Sequence, residues 1–220
     1  MVKAGSRIGI LGGTFNPVHN GHLVLAEECL NKLSLDKVLF VPAHTPPHKT
    51  IEGDVSASDR LKMLRLAMPL NDSRFEISDY EIKQKRVVYT IETVEYFQAI
   101  YGVSSKIFFI TGADSAGTLS SWEKIDKLLE VAVFVIASRP GWDINVSLDK
   151  KYIGKVLNLE IPYVDISSIL VRERVKNGET IEKFVPQLVA EYIYENGFYK
   201  HNSGITSHNW VCSKCVDNKI

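Results

Sequence analysis

The sequence predicts an α/β fold with a doubly wound parallel sheet. Short apolar segments alternate with stretches whose apolar residues recur at helical spacing, in the order β-α-β-α-β-α-β-α-β. A glycine turn, Gly12-Gly13, joins the first strand to the first helix. The chain has 220 residues, of which 45% are hydrophobic and 24% are charged, a composition typical of one globular domain. We therefore expect a single domain over residues 1–200 and a mobile C-terminal tail over residues 201–220.

Three strands and two helices are predicted in the first 80 residues. The first strand, residues 7–11, ends at the glycine turn, and apolar residues at helical spacing place a helix directly after it. The second strand, residues 37–41, ends at Pro42, which has no N–H for a sheet hydrogen bond. One apolar face predicts a helix over residues 57–70. A third strand at residues 75–78 precedes a loop.

The remainder of the chain continues the alternation. The apolar run Ile-Phe-Phe-Ile within residues 106–111 is typical of a buried strand. Gly178 and Gly197 stand where the last two helices should end, positions that favour glycine. The predicted helices are residues 90–101, 122–131, 168–177 and 186–195, and the predicted strands are residues 106–111, 132–137 and 156–159.

The charge balance argues against nucleic acid or an anionic membrane as a partner. The 26 basic residues equal the 26 acidic residues, so the surface as a whole does not attract anions. The longest apolar stretch, residues 131–137, is too short to span a bilayer, and residues 1–7 precede no apolar run. The three cysteines do not form a disulfide framework. We expect a cytoplasmic protein, and the sequence carries no mark of its oligomeric state.

Two histidines follow the glycine turn and indicate a nucleotide phosphate site. Gly21 and His22 fall in the first turn of the predicted helix, where unpaired N–H groups and the helix dipole favour anions. His19 stands three residues before His22, so both imidazoles lie on one side of that turn. Imidazoles donate hydrogen bonds near pH 7 in either charge state. A dinucleotide-binding turn would instead require the spacing G-x-G-x-x-G.

Residues 12–22, GGTFNPVHNGH, resemble the GGTFDPxHxGH signature of the nucleotidyltransferases built on the HxGH motif. The resemblance implies a Rossmann-like sheet of the nucleotidyltransferase type. Asn16 stands where many members have Asp, and we expect its short side chain to hold the turn by local hydrogen bonds and to lie on the substrate side. The residues that the resemblance assigns to ATP here are Gly12, Gly13, Thr14, Phe15, His19 and His22.

Two further segments resemble the nicotinate-nucleotide adenylyltransferase family. Residues 42–49, PAHTPPHK, are similar to its PxxxPPHK loop, which implies that His48 and Lys49 bind the substrate, and Lys49 could neutralise the phosphate of the mononucleotide. The alternative is a solvated proline loop with a surface lysine. Residues 88–93, VYTIET, are similar to its SYTIDT segment. Thr90, at a helix N-cap, would then bind the nicotinate carboxylate through its N–H and hydroxyl, and a plain N-cap is the alternative.

Three polar or aromatic residues follow the fourth and fifth strands. Asp114, in a turn similar to the family's IGADS turn, is a candidate for ribose or metal contact or for a helix cap. Trp122 opens the next predicted helix and could stack on a pyridine ring, although a buried core position is the commoner one for tryptophan. Arg139, in a Ser-Arg-Pro-Gly loop, could meet adenine or phosphate, and a surface salt bridge is the alternative.

Residues 166–172, ISSILVR, resemble the ISSTxxR pattern of the same superfamily. Ile169 replaces the usual threonine, which removes one hydroxyl donor. Residues 192–199 are similar to the family's YIxxxGLY close, so the resemblance covers residues 7–199. The residues that this pattern assigns to the triphosphate are Ile166, Ser167, Ser168 and Arg172.

The resemblance implies transfer of the adenylyl group of ATP to nicotinate mononucleotide, giving deamido-NAD and pyrophosphate. His19, His22 and Arg172 would be catalytic, and Mg²⁺ would arrive with ATP rather than in a dedicated protein site. Another adenylyl- or cytidylyltransferase of the superfamily, such as a phosphopantetheine adenylyltransferase, is the nearest alternative. A nucleotide sensor without turnover is a second, and a nicotinamide-dependent oxidoreductase, which lacks its glycine turn here, is a third.

The tail contains a partial set of zinc ligands. His208, Cys212 and Cys215 supply three, and His201 is the only nearby fourth. The spacing fits no standard zinc finger, and the segment is polar and rich in turn residues. We expect incidental thiols on a mobile terminus, with metal binding as the alternative.

Overall fold

The computed structural model describes residues 5–47, 51–68 and 72–200. Within these residues the strands are β1 (Arg7–Gly13), β2 (Lys37–Pro42), β3 (Phe75–Ile77), β4 (Lys106–Gly112), β5 (Val133–Ser138) and β6 (Leu157–Glu160). They form one sheet in the order β3-β2-β1-β4-β5-β6, and every neighbouring pair is parallel. The predicted α/β class with a doubly wound parallel sheet is confirmed.

Helices cover both faces of the sheet because the strand side chains alternate between two cores. In the described residues the helices are α1 (Asn20–Lys32), α2 (Ala57–Ala67), α3 (Tyr80–Gln84), α4 (Thr90–Tyr101), α5 (Ile125–Val131), α6 (Ser168–Lys176) and α7 (Gln187–Asn196). The first core contains Leu11 and Phe108 and packs against α1, α2, α6 and α7. The second contains Ile10 and Phe109 and packs against α4 and α5.

Helix boundaries follow local capping chemistry. The Ser56 hydroxyl accepts a hydrogen bond from the Asp59 N–H at 3.1 Å, and the Asp59 carboxylate accepts one from the Ser56 N–H at 3.0 Å, so a capping box begins α2. Gly197 ends α7 with a φ of 65°, a left-handed conformation that glycine adopts without strain. None of the described helices has the length and apolar character that a bilayer crossing requires.

Two parts of the secondary-structure prediction were wrong. α3 lies in the predicted loop, because its five residues are too few to display helical periodicity. A 3₁₀ helix, Ala113–Ser121, follows β4, and α5 begins at Ile125 rather than at residue 122. His48, Lys49 and the tail at residues 201–220 lie outside the described residues.

Candidate functional site

The candidate site lies where β1 and β4 end, side by side at the centre of the sheet. The chain leaves these strands toward opposite faces: α1 packs in the first core, and the 3₁₀ helix after β4 packs in the second core. Such a divergence opens a crevice at the carboxyl ends of the strands, where doubly wound sheets bind their ligands.

The glycine turn begins inside β1, because Gly12 and Gly13 are the last two residues of that strand, and aromatic rings pack closely against both glycines. A Cβ at Gly13 would lie 3.1 Å from the Phe15 ring, and a Cβ at Gly12 would lie 3.0 Å from the Phe109 ring. Phe15 has a φ of 50°, unusual for a residue with a side chain, and its ring is buried. The Ala43 N–H donates to the Gly13 carbonyl at 2.9 Å, which ties this turn to the loop after β2. The backbone is thus preorganised before any ligand binds.

The two histidines form a compact pair at the start of α1, as the spacing predicts. Their ring centroids lie 3.7 Å apart, and the His19 backbone N–H donates to His22 Nδ1 at 3.2 Å. The His19 side chain is buried, and in the described part of the chain its Nδ1 has no hydrogen-bond partner. Burial lowers the pKa of His19 to about 4, so the imidazole is neutral at pH 7. A Cβ at Gly21 would lie 3.0 Å from His19 Nδ1, so a side chain at this position would press against the ring.

The start of α6 packs against the same turn. Ser167 caps α6 by accepting the Leu170 N–H at 3.1 Å, and the Ser168 hydroxyl donates to the Pro17 carbonyl at 2.8 Å. Arg172 donates to the Asn16 carbonyl at 2.9 Å, and the Ile166 carbonyl lies 3.5 Å from a Cβ built at Gly21. The fold therefore brings segments about 150 residues apart in sequence into one site. Most of the residues expected to bind ATP belong to these two segments.

Arg172 also forms an ion pair that the sequence did not predict. Its Nη2 and Nε donate to the Glu52 carboxylate at 2.9 Å and 3.2 Å. The Arg172 side chain is 14% exposed, whereas the Glu52 side chain is 71% exposed. The exposed Glu52 carboxylate therefore occupies the guanidinium that the sequence resemblance assigns to the triphosphate. Nothing in the spacing of the two residues could have indicated this contact.

Asn16 holds distant segments rather than its own turn, so the expectation of local hydrogen bonds was wrong. Its Nδ2 donates to the Glu52 carbonyl at 2.8 Å, and its Oδ1 accepts from the Tyr199 hydroxyl at 2.7 Å. The Asn16 side chain is buried. An aspartate here would place a second acceptor against the Glu52 carbonyl, so the amide suits these two partners. Ile169, the other departure from the family pattern, is 58% exposed, and no contact in the structure explains it.

Arg139 directly follows β5, the strand next to β4 in the sheet. Its guanidinium carbon is 4.9 Å from the Trp142 ring centroid and 5.5 Å from the Tyr163 ring centroid. Both distances are typical of cation–π contacts. Arg139 thus contacts aromatic rings, and no salt bridge is formed by it within the described ranges.

Three candidate acceptor residues, Thr90, Asp114 and Trp122, lie on α4 and on the 3₁₀ helix after β4 or at its end. Thr90 is the first residue of α4, and Tyr89 rather than Thr90 occupies the N-cap. Trp122 precedes α5 and packs edge-to-face on Phe109 and Phe134, with centroids 5.9 Å and 5.3 Å away. It therefore belongs partly to the second core, although it is only half-buried. The Asp114 carboxylate folds back over the end of β4, since its Oδ1 lies 2.9 Å from a Cβ built at Gly112.

Two buried residues with ionisable side chains were missed by the sequence prediction. Arg60, on α2, is completely buried and donates to the Thr14 and His44 carbonyls at 2.7 Å and 2.8 Å. A signal existed, because Arg60 falls on the same apolar stripe of α2 as the buried Leu64 and Ala67. Glu81, on α3, is buried and accepts a hydrogen bond from the Thr93 hydroxyl at 2.6 Å. Burial raises the pKa of Glu81 to about 7, and the charge of Glu92 acts in the same direction.

The described residues contain no group of three or more His, Cys, Asp or Glu side chains placed to hold a metal ion. Mg²⁺ at phosphoryl-transfer sites is usually held by the substrate phosphates, several waters and one or two carboxylates. Asp114 is an exposed carboxylate at this edge of the sheet. This donor set fits a cation that arrives with a nucleotide better than one held by the protein alone.

Comparisons with known proteins agree on one family. The model of the cytidylyltransferase-like family matches residues 10–174. A probable nicotinate-nucleotide adenylyltransferase of Clostridium tetani (strain Massachusetts / E88) is 40% identical over 197 residues, which cover 87% of this chain and 98% of the relative. Another, from Geobacillus kaustophilus (strain HTA426), is 40% identical over 210 residues, which cover 96% of this chain and 94% of the relative.

Solved structures support the fold independently. The Plasmodium falciparum nicotinic acid mononucleotide adenylyltransferase complexed with NaAD has a TM-score of 0.72 to this chain at 20% identity, covering 88% of this chain and 97% of that one. The same enzyme complexed with APC has a TM-score of 0.70 at 19% identity, with the same coverage. Together with the family match and the relatives about 40% identical, the HxGH turn and the parallel sheet place the chain: it belongs to the cytidylyltransferase-like family and, within it, to the nicotinate-nucleotide adenylyltransferases.

Proposed function

We propose that this chain transfers the adenylyl group of ATP to nicotinate mononucleotide, giving deamido-NAD and pyrophosphate in NAD biosynthesis. The observation that carries the proposal is the pair of imidazoles, 3.7 Å apart at the start of α1, on the turn that Arg172 also contacts. A helix N-terminus with imidazole and guanidinium donors favours a polyphosphate. The names of the relatives support nicotinate mononucleotide as the acceptor.

The ATP subsite would be built on the turn after β1 and the start of α6. Backbone N–H groups near Gly12 and Gly13 approach the phosphates, and His19, His22 and Arg172 donate to them. The remaining ATP contacts in the proposal come from Thr14, Phe15, Arg139, Ile166, Ser167 and Ser168. The negative triphosphate favours protonated imidazole, which opposes the lowering of the His19 pKa by burial.

The acceptor subsite would lie on the other side of the crevice. His48 and Lys49 neutralise the phosphate of the mononucleotide, and Thr90 binds the carboxylate of its nicotinate ring. The second core leaves part of the Trp122 ring uncovered, and this part provides a face on which the nicotinate ring can stack. Asp114 contacts ribose or the metal ion. Asn16 acts indirectly, by holding the segments of Glu52 and Tyr199 against the site, because both ends of its side-chain amide bind protein partners.

The reaction needs positioning and charge stabilisation rather than a protein nucleophile. A phosphate oxygen of nicotinate mononucleotide attacks the α-phosphorus of ATP, and the new O–P bond forms as the bond from the α-phosphorus to the β-bridging oxygen breaks. Pyrophosphate leaves with that bonding pair. His22 and Arg172 donate to the oxygens on which charge develops, and fixed donors do this better than water. Mg²⁺, bound mainly through the phosphates, would neutralise part of the triphosphate charge.

Acceptor choice is the test of the proposal. The purified chain is offered ATP or CTP with nicotinate mononucleotide, nicotinamide mononucleotide or phosphopantetheine, and both pyrophosphate and the dinucleotide product are quantified. We expect ATP with nicotinate mononucleotide to have the highest kcat/KM. Preference for phosphopantetheine or CTP would place the chain in another branch of the superfamily, and ATP binding without pyrophosphate release would indicate a sensor. A cytoplasmic location is part of the same proposal.

A further inference from the structure

Arg60 is the largest side chain that the described residues bury completely. It lies in the first turn and a half of α2, on the stripe that continues with Met63, Leu64 and Ala67 into the first core. Burial lowers the pKa of its guanidinium, and its Nε has no hydrogen-bond partner among the residues the structure describes. An apolar side chain at this place on the stripe would avoid the cost of burying a charge. The presence of an arginine therefore calls for a reason other than core packing.

The guanidinium connects two loops that leave adjacent strands. Its Nη1 donates to the carbonyl of Thr14, one residue beyond β1, at 2.7 Å. Its Nη2 donates to the carbonyl of His44, two residues beyond β2, at 2.8 Å. A guanidinium is planar and rigid, so two bonds from its separate Nη atoms fix the distance between the two carbonyls. An apolar residue in place of Arg60 would remove both of these hydrogen bonds.

We infer that Arg60 is a positioning residue that sets the spacing between the phosphate-binding turn and the loop expected to hold the acceptor phosphate. The inference rests on the proposed function, in which Thr14 belongs to the ATP turn and the loop after β2 leads to His48 and Lys49. In-line attack requires a particular distance between the acceptor oxygen and the α-phosphorus, and a particular angle between the attacking oxygen, the phosphorus and the leaving oxygen. A spacer between the two loops controls that geometry without touching either substrate.

Arg60→Met and Arg60→Lys test the inference, with Arg7→Met as the matched control. Arg7 also donates two hydrogen bonds to a backbone carbonyl, that of Leu33, at 3.1 Å and 2.9 Å. It sits at the amino end of β1, at the opposite edge of the sheet from the candidate site. The measurements are kcat, the KM values for ATP and nicotinate mononucleotide, and the melting temperature of each variant.

We expect Arg60→Met to lower kcat by between about tenfold and about a hundredfold at saturating substrates and to raise both KM values, because a misplacement of about 1 Å has effects of that size. Arg60→Lys keeps the charge without the planar fork, so it should restore part of kcat. Arg7→Met should lower the melting temperature and leave all three kinetic constants near wild type.

The inference is overturned if Arg60→Met loses melting temperature but keeps the wild-type kcat and KM values, since Arg60 would then be purely structural. Should Arg60→Met not fold, Arg60→Lys decides: wild-type constants overturn the inference, and a lowered kcat supports it. If the wild-type chain itself forms no deamido-NAD, the proposed function fails instead. Calorimetric titration with ATP then tests Arg60 independently, with weaker binding by Arg60→Lys than by Arg7→Met supporting its role and equal binding overturning it.

Discussion

The buried carboxyl of Glu81 should make the stability of this protein depend on pH, and Glu81→Gln should remove that dependence. Burial raises the pKa of Glu81 from 4.5 to about 7, in spite of the hydrogen bond donated by Thr93. A group with a higher pKa in the folded chain than in the unfolded chain binds its proton more tightly when folded. Its contribution to stability is therefore complete below pH 4.5 and is lost as the pH rises through about 7.

The size of the effect follows from the pKa difference. At about 1.36 kcal/mol per pKa unit, the rise from 4.5 to about 7 corresponds to roughly 3 kcal/mol of unfolding free energy. Glutamine has nearly the same shape, remains neutral at every pH, and offers an amide oxygen to the Thr93 hydroxyl. At pH 8 the variant should be more stable than wild type by up to roughly 3 kcal/mol, and at pH 4.5 the two should be similar.

Urea unfolding followed by circular dichroism, at half-unit steps from pH 4.5 to 8, measures this difference. Glu95→Gln serves as a control, because Glu95 lies on the exposed side of α4 in an ion pair with Lys127. Its removal should change the unfolding free energy by no more than about 0.5 kcal/mol. Parallel pH profiles for wild type and Glu81→Gln would refute the reasoning, since the buried carboxyl would then titrate alike in the folded and unfolded chains.

The remaining predictions concern the candidate site and the C-terminal tail. His22→Ala should lower kcat by roughly two to three orders of magnitude without unfolding the protein, as expected for a lost donor to developing charge, and turnover near wild type would contradict this. Arg172→Ala should raise the KM for ATP, whereas Glu52→Gln should lower it by up to about fivefold, since an exposed ion pair is worth about 1 kcal/mol or less. If these two variants changed only the KM for the mononucleotide, Arg172 would belong to the acceptor subsite instead of the ATP subsite. Trp122→Ala should raise the KM for the mononucleotide by roughly 5- to 150-fold, the equivalent of a lost stacking contact, and an unchanged KM would make Trp122 a core residue only. Deleting residues 201–220 should leave kcat and KM nearly intact, and stoichiometric zinc with loss of stability on chelation would show that the tail is a metal site.

Secondary structure was predictable wherever the signal was long and local. The alternation of apolar strands and amphipathic helices sufficed for the parallel sheet, and glycine marked the ends of α6 and α7. α3 and the 3₁₀ helix after β4 were missed, because five residues or a different helical period leave no repeated apolar pattern to detect.

The sequence by itself also predicted the centre of the candidate site. Gly12 and Gly13 at the end of β1 and His19 and His22 at the start of α1 are positioned by neighbouring residues, so their spacing alone indicated a phosphate site. The relative positions of such residues depend on a few adjacent backbone angles. They can therefore be inferred before the fold is known.

Only the tertiary structure decided which distant residues complete that centre. Hydrogen bonds join Asn16 to Tyr199, 183 positions away, Arg172 to Glu52, 120 positions away, and Arg60 to Thr14, 46 positions away. These contacts exist because the strand order places β1 between β2 and β4 and lays α2, α6 and α7 over one face of the sheet. Side-chain partners of that kind depend on how the layers pack together, and no local pattern along the chain carries that information.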